Sequence, residues 1–340
     1  MERKYGLCFA GGGGKGSYQL GVWKALKSLG KDLEIKAVSG ASIGALNAAM
    51  FATGAVDTAE AEWKKIKNTD FLSLNPSTDY CSRKHFKEIL ERAIDFDALK
   101  FSEIRCFVGI AKVQEYSYLP DGILGLGKDY MKYPSFSAIR EDVNRSVQEM
   151  EAEYREINKL EKEQIIDLLT ASSAMPIVYK PVMIDGAKYI DGGMVDNVPI
   201  RPLVEDAECK DLIIVKLHKD NEYNLYVASR ADSIMEITPS KSIGDGLIDG
   251  TLDFSASHVE FRMQLGFYDT LRAFDIVERK KLGIPYTKEE LAEKERKDIE
   301  KAEQMARMGN SLDKAAQTRS SFDNLLGKYG KKYGIDLDIK

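Results

Sequence analysis

Tyr5-Gly6-Leu7-Cys8-Phe9-Ala10-Gly11-Gly12-Gly13-Gly14-Lys15-Gly16 stands near the start of the chain, and Val38-Ser39-Gly40-Ala41-Ser42-Ile43-Gly44-Ala45 follows about two dozen residues later. In each stretch an apolar run ends in glycine and a helical pattern takes over. Residues 5–10 read as a buried strand. Tyr18, Val22, Leu26 and Leu29 then fall at helical spacing, and Gly30 stops the helix as a C′ residue does. Residues 33–38 read as a second strand. Residues 45–52 are apolar on nearly every side, the mark of a buried helix. Strand, glycine turn and helix, twice over, is the rhythm of a parallel sheet covered on both faces.

Further along, residues 106–113 and 212–217 read as strands. Residues 141–169, charged and periodic, read as one or two helices. Residues 182–190 form an extended run broken by Asp185-Gly186, which suggests a hairpin turn. Beyond residue 280 the composition shifts. Thr287 and Glu290 form a capping box, and the stretch to Met308 mixes both charge signs until Gly309-Asn310 ends it. Residues 282–340 thus read as a helical appendage with a loose end that caps the core.

Bulk properties exclude several classes of function. The 340 residues carry 49 Lys and Arg against 54 Asp and Glu, a net charge of −5. That balance leaves no basic surplus for nucleic acid, so no nucleic-acid partner is expected. Cys8, Cys81, Cys106 and Cys209 are scattered without a CxxC pair, as reduced structural thiols are, and no metal-ligand spacing is present. No apolar run is long enough for a secretory leader or a transmembrane helix, so the expectation is a soluble, cytoplasmic protein that meets lipid only at an interface.

The cluster Gly11-Gly12-Gly13-Gly14-Lys15-Gly16 places bare backbone N–H groups at a helix start, where they stabilise negative charge. Phosphate binding and an oxyanion hole both use such a cluster. Gly11, Gly13 and Gly16 match GxGxxG, but a dinucleotide site wants an acidic residue at the end of the second strand, where Val38-Ser39-Gly40 stands. A Walker A loop fails because Lys15 is followed by Gly16. A tight packing turn would not need four consecutive glycines, each of which raises the entropy cost of folding.

Gly40-Ala41-Ser42-Ile43-Gly44 is GxSxG between a strand and a buried helix, the setting of a nucleophile elbow. The bland alternative makes Ser42 a helix N-cap. Ser39 is the nearest decoy and lacks the glycine two residues before it. A serine nucleophile needs a base. Of the three histidines, His85 lies on a polar helix face and His258 in a helical stretch beside Phe254 and Phe261. His218 follows an apolar strand, and the order Ser42, Asp191, His218 suits a triad. Against it stands Asp191-Gly192-Gly193, a carboxylate at the end of an extended run, freed by two glycines to approach a serine. An apolar pocket would raise its pKa from about 3.9 and make it a stronger base. Taken alone, an ordinary Asp-Gly-Gly turn is the better explanation.

Together these blocks resemble the patatin-like phospholipases. The resemblance rests on Gly11-Gly12-Gly13-Gly14-Lys15-Gly16 with Gly21, on Gly40-Ala41-Ser42-Ile43-Gly44-Ala45, and on Ala171-Ser172-Ser173-Ala174-Met175-Pro176 leading to Asp191-Gly192-Gly193 and Asn197-Val198-Pro199. It extends patchily through Gly250-Thr251-Leu252-Asp253-Phe254-Ser255 and Leu265-Gly266-Phe267-Tyr268-Asp269-Thr270. The resemblance implies a three-layer α/β/α sandwich with a mainly parallel central sheet. It implies hydrolysis of lipid acyl esters, by a Ser42–Asp191 dyad through an acyl-enzyme. It also implies an oxyanion hole from the glycine loop, Gly11 to Gly16, chiefly the N–H groups of Gly12 to Gly14. Gly40, Gly44, Gly192 and Gly193 would support the motifs, with no cofactor and no metal. An acyltransferase on the same site and a phosphate-binding protein are the alternatives. The expected organisation is a catalytic domain over 1–280, with its motif core at 5–203, and a charged helical extension over 281–340. Phospholipid or another acyl ester, met transiently at a membrane or micelle surface, is the expected partner. The aromatic and apolar cluster from Tyr116 to Phe136 suggests an interfacial contact or lid, or an ordinary packed excursion.

Overall fold

The computed structural model describes residues 4–30, 33–71, 81–113, 150–176, 178–244 and 250–333. Among these residues eight strands form one mixed sheet: β1 (Lys4–Phe9), β2 (Glu34–Ala41), β3 (Arg105–Lys112), β4 (Glu151–Glu156), β5 (Val182–Ile184), β6 (Ala187–Asp191), β7 (Asp211–Val215) and β8 (Ser233–Ile237). The order is β5-β6-β3-β2-β1-β7-β8, with β4 paired to β3 off that path. Strands β3, β2, β1, β7 and β8 run parallel, whereas β4, β5 and β6 are antiparallel to their neighbours. The hairpin of β5 and β6 turns at Asp185 and Gly186, whose φ values of 50° and 80° are those of a two-residue hairpin loop.

Side chains alternate across the sheet. Leu7 and Phe9 of β1, with Ile213 and Val215 of β7, enter the larger core. Cys8 and Ala10, with Leu212 and Ile214, enter a smaller one on the other face. The larger core is roofed by α1 (Ser17–Leu29), α2 (Ile43–Ala52), α3 (Val56–Lys65), α4 (Lys84–Ala93), α5 (Lys162–Ser172) and α6 (Ala256–Lys281). The smaller is covered by Arg201–Glu205 and Leu225–Ala228, both a single turn or so. The sandwich therefore has three layers, one of them thin. Every residue of α2 is buried, as its all-round apolar sequence requires. All four cysteines are buried and free.

Two readings need correction. Of the helices expected over 141–169, only α5 is present among the described residues, because Glu151–Glu156 is strand β4. It pairs with the outer edge of β3 over six residues, and its backbone bonds go there. None of its residues is fully buried, so it shows no apolar alternation and its charges read as a helix surface. Second, the tail does not stop at Gly309-Asn310. Helix α7 (Lys288–Tyr333) runs through both, after a capping box in which Thr287 and Glu290 exchange bonds of 2.9 and 3.1 Å. Gly309 serves close packing instead: a Cβ there would lie 2.9 Å from the Glu260 carboxyl carbon on α6. Ala302 and Asp298 of α7 are buried, and Arg272 of α6 pairs with Asp298. The cluster from Tyr116 to Phe136 lies outside the described residues. Among the described residues no helix is long and apolar enough to cross a membrane.

Candidate active site

The register of β3 explains how residues far apart in the chain meet. β2 pairs with β3 as far as Ala41 opposite Gly109. β6 takes over the same edge, with Asp191 opposite Ile110. One strand rises and the other descends along that edge, so their ends abut. The residue after Ala41 is Ser42, and the last residue of β6 is Asp191. Ser42 Oγ donates to Asp191 Oδ2 at 2.7 Å.

The elbow itself is strained. Ser42 has φ 55° and ψ −128°, a conformation that costs a non-glycine residue about 1–3 kcal/mol. Its flanking glycines are sterically required. A Cβ on Gly40 would sit 2.2 Å from the Gly44 carbonyl oxygen, and one on Gly44 2.2 Å from that of Phe9. Ser42 occupies the N-cap position of α2, yet its side chain caps nothing. The hydroxyl is turned to the carboxylate instead. Ser172, at the end of α5, locks the junction: its Oγ accepts from the Ser42 N–H at 3.0 Å and donates to the Gly109 carbonyl at 2.7 Å.

Asp191 is 7% exposed. Its second oxygen accepts from the Gly193 N–H at 2.8 Å, so the Asp-Gly-Gly turn and the contact to Ser42 use different oxygens of one group. Burial pushes its pKa from 3.8 up to about 6, against smaller downward pulls from Ser42, the Gly193 amide and the charge of Arg83. A carboxylate so placed is a stronger base than one in water and still ionises near neutrality.

The glycine loop faces both. Gly13–Gly16 form a 3₁₀ turn leading into α1. Gly11 is clamped to Asn197 by two bonds, its N–H to the Asn197 carbonyl at 3.1 Å and the Asn197 amide to its carbonyl at 3.2 Å. The Lys15 N–H goes to the Gly12 carbonyl. Among the described residues no protein acceptor takes the N–H of Gly12 or Gly13, and both residues line a cavity of about 380 Å³ with Ser42 and Asp191. Gly14 and Gly16 are buried behind them. A polar chain underpins the loop: Asn47 donates to the Gly16 carbonyl at 2.9 Å and to Gln19 at 2.7 Å, and Trp63 donates to Asn47 at 3.0 Å.

The far wall comes from later sequence. Thr251, Leu252 and Phe254 line the same cavity. Arg262 of α6, fully buried, ties that segment to the loop, donating to the carbonyls of Gly14 at 3.2 Å and Asp253 at 2.6 Å and to the Asp253 carboxylate at 3.1 Å. Arg83, Asn47 and Arg262 gave no signal as site residues in sequence, since each acts through a fold contact that no local motif encodes; Ser172 stood only within the block Ala171–Pro176, with no role attached to it.

The structure does not bring a histidine to Ser42. His218 lines a separate pocket with Lys219 and Asp220, and its Nδ1 faces Asp220. His85 pairs with Glu88 on an exposed helix face, and His258 contacts Asp253 at the start of α6. Ser39 is buried and donates to the Pro199 carbonyl at 2.6 Å. Among the described residues no cluster of three His, Cys, Asp or Glu side chains is close enough to hold a metal.

A family model described as patatin-like phospholipase matches residues 7–204, more than half of the chain. The human protein described as patatin-like phospholipase domain-containing protein 4 is 24% identical over 282 residues, covering 78% of this chain and 94% of that protein. The crystal structure of VipD from Legionella pneumophila aligns with all of this chain and 81% of its own, at 15% identity and a TM-score of 0.48.

Proposed function

The chain belongs to the patatin-like phospholipase family, which implies lipid acyl hydrolase activity, and from that premise we propose that Ser42 is its nucleophile and Asp191 its general base. The observation that carries this reading is the 2.7 Å contact between a strained serine and a buried carboxylate, beside two backbone amides that no acceptor among the described residues takes. Asp191 takes the Ser42 proton as Oγ attacks the ester carbonyl. The Gly12 and Gly13 amides hold the oxyanion, each worth about 3 kcal/mol in the transition state. The ester C–O bond breaks, and the departing alkoxide takes the proton from Asp191. Water then gives a proton to Asp191 and attacks the acyl-Ser42 ester. The fatty acid leaves as Ser42 recovers its proton.

No step uses His218. The catalytic unit in this reading spans residues 1–280, since Thr251 and Phe254 help enclose the cavity, and residues 281–340 are an extension whose helix α7 is laid along α6. Substrate is a phospholipid or another acyl ester met transiently at a membrane or micelle surface, without nucleic acid, metal or cofactor.

Mass-spectrometric assay of fatty acid release from a panel of phospholipids and neutral acyl esters tests the proposal. Release by the wild type and by H218A, with none from S42A, supports it. Release by S42A at the wild-type rate, or collapse in H218A alone, overturns it. Adding glycerol separates hydrolysis from acyl transfer to an alcohol.

A further inference from the structure

Arg83 is a cation set into the wall of the Ser42 cavity. It precedes α4, and its guanidinium lies 4.0 Å from the Tyr179 ring centre and 4.6 Å from that of Phe86. Nη2 donates to the Thr170 carbonyl and, at 2.7 Å, to Ser173 Oγ. Nε is buried with no hydrogen-bond partner among the described residues. Among those residues no carboxylate forms an ion pair with Arg83, while it lines one cavity with Ser42, Ser173, Tyr179 and Asp191.

That arrangement is unusual for a guanidinium. A charge withdrawn from water costs stability unless it is paired and its donors are used. Burial accordingly pulls the Arg83 pKa below its ordinary value, with only partial compensation from its neighbours. Among the described residues Asp191 is the carboxylate whose charge bears on it, and a base that gains and loses a proton each turnover is no permanent counter-ion. Arg262 shows the contrast: more deeply buried, it is fastened to acceptors of its own protein. The planar fork of arginine suits phosphate oxygens.

We propose that Arg83 is the anion anchor of this cavity and takes the phosphodiester of a phospholipid whose ester carbonyl lies at Ser42. On such a lipid the phosphodiester and the ester share one glycerol, so groups on two walls of one cavity reach both. The proposal rests on the reading of Ser42 and Asp191 given above, and it names the feature that distinguishes a phospholipid from a neutral acylglycerol.

The test compares the full-length wild type with R83M and R83K. The readout is the ratio of kcat/KM for 1-decanoyl lysophosphatidylcholine to that for 1-decanoylglycerol, both kept below micelle formation. R83M should lower this ratio tenfold or more, chiefly through KM for the phospholipid, and R83K should restore most of it. A ratio within twofold of wild type in R83M overturns the proposal, because a merely structural role moves both substrates together. Should R83M not fold, R83Q carries the same comparison. Calorimetry with decyl phosphate gives a readout independent of turnover: tight binding by the wild type, weakened at least tenfold in R83M. Inorganic phosphate bound as tightly as decyl phosphate would mark a free-phosphate site and sink the lipid assignment. If the wild type cleaves neither ester yet holds decyl phosphate through Arg83, the Ser42–Asp191 reading fails and the anchor stands.

Discussion

Replacing Asp191 with asparagine should inactivate the protein and stabilise it at once. The amide can keep the bond from the Gly193 N–H and turn its NH₂ toward Ser42 Oγ, so geometry is preserved while the charge is removed. The size follows from burial. Raising a carboxyl from 3.8 to about 6 corresponds to about 3 kcal/mol spent on keeping it ionised in the fold. Because the folded carboxyl holds its proton more tightly than the unfolded one, its contribution is most favourable below pH 4 and is lost as pH rises through 6. D191N should therefore exceed the wild type in unfolding free energy by up to about 3 kcal/mol at pH 7.5, and the gap should close near pH 4. Urea denaturation at the two pH values measures both figures. Turnover of an acyl ester should fall by roughly 10²–10⁴, the usual worth of a general base. A variant no more stable than wild type at pH 7.5, or a gap that does not change with pH, refutes the view that burial sets the character of this carboxylate.

Three further expectations follow from the same geometry. The acid limb of the wild-type kcat/KM profile should bend near pH 6, since protonated Asp191 cannot accept the serine proton; a limb near pH 4 contradicts the raised value. S172A leaves the Ser42 N–H and the Gly109 carbonyl without their shared partner, and denaturant unfolding should show a loss of about 1–3 kcal/mol. R262M removes a fully buried cation from the acceptors that join the glycine loop to residues 250–254. Stability should drop by about 3–5 kcal/mol, and in whatever fraction folds kcat should suffer more than KM.

The parts of the molecule legible in sequence were those where a local rule acts alone. Glycines between an apolar strand and a helix announce a turn that side chains would block, so the loop at Gly11 and the elbow at Ser42 could be read directly. The turn at Asp185-Gly186 and the capping box at Thr287 were equally local. The meeting of Ser42 with Asp191 was expected only through the resemblance, because it depends on two strands abutting along one edge of β3, a register with no local signature. Strand β4 was hidden by its charges. Gly309 misled because a glycine that permits helix contact looks like one that ends a helix. Arg83 and Arg262 carry no local pattern that marks them, because their roles come from packing between distant segments.

Intact-mass analysis after exposure to a fluorophosphonate tests the central claim most directly. The account predicts one adduct on the wild type, mapped by peptide sequencing to Ser42, absent from S42A and formed far more slowly by D191N. Labelling of S42A at the wild-type rate, or an adduct mapped to any other residue, would contradict it.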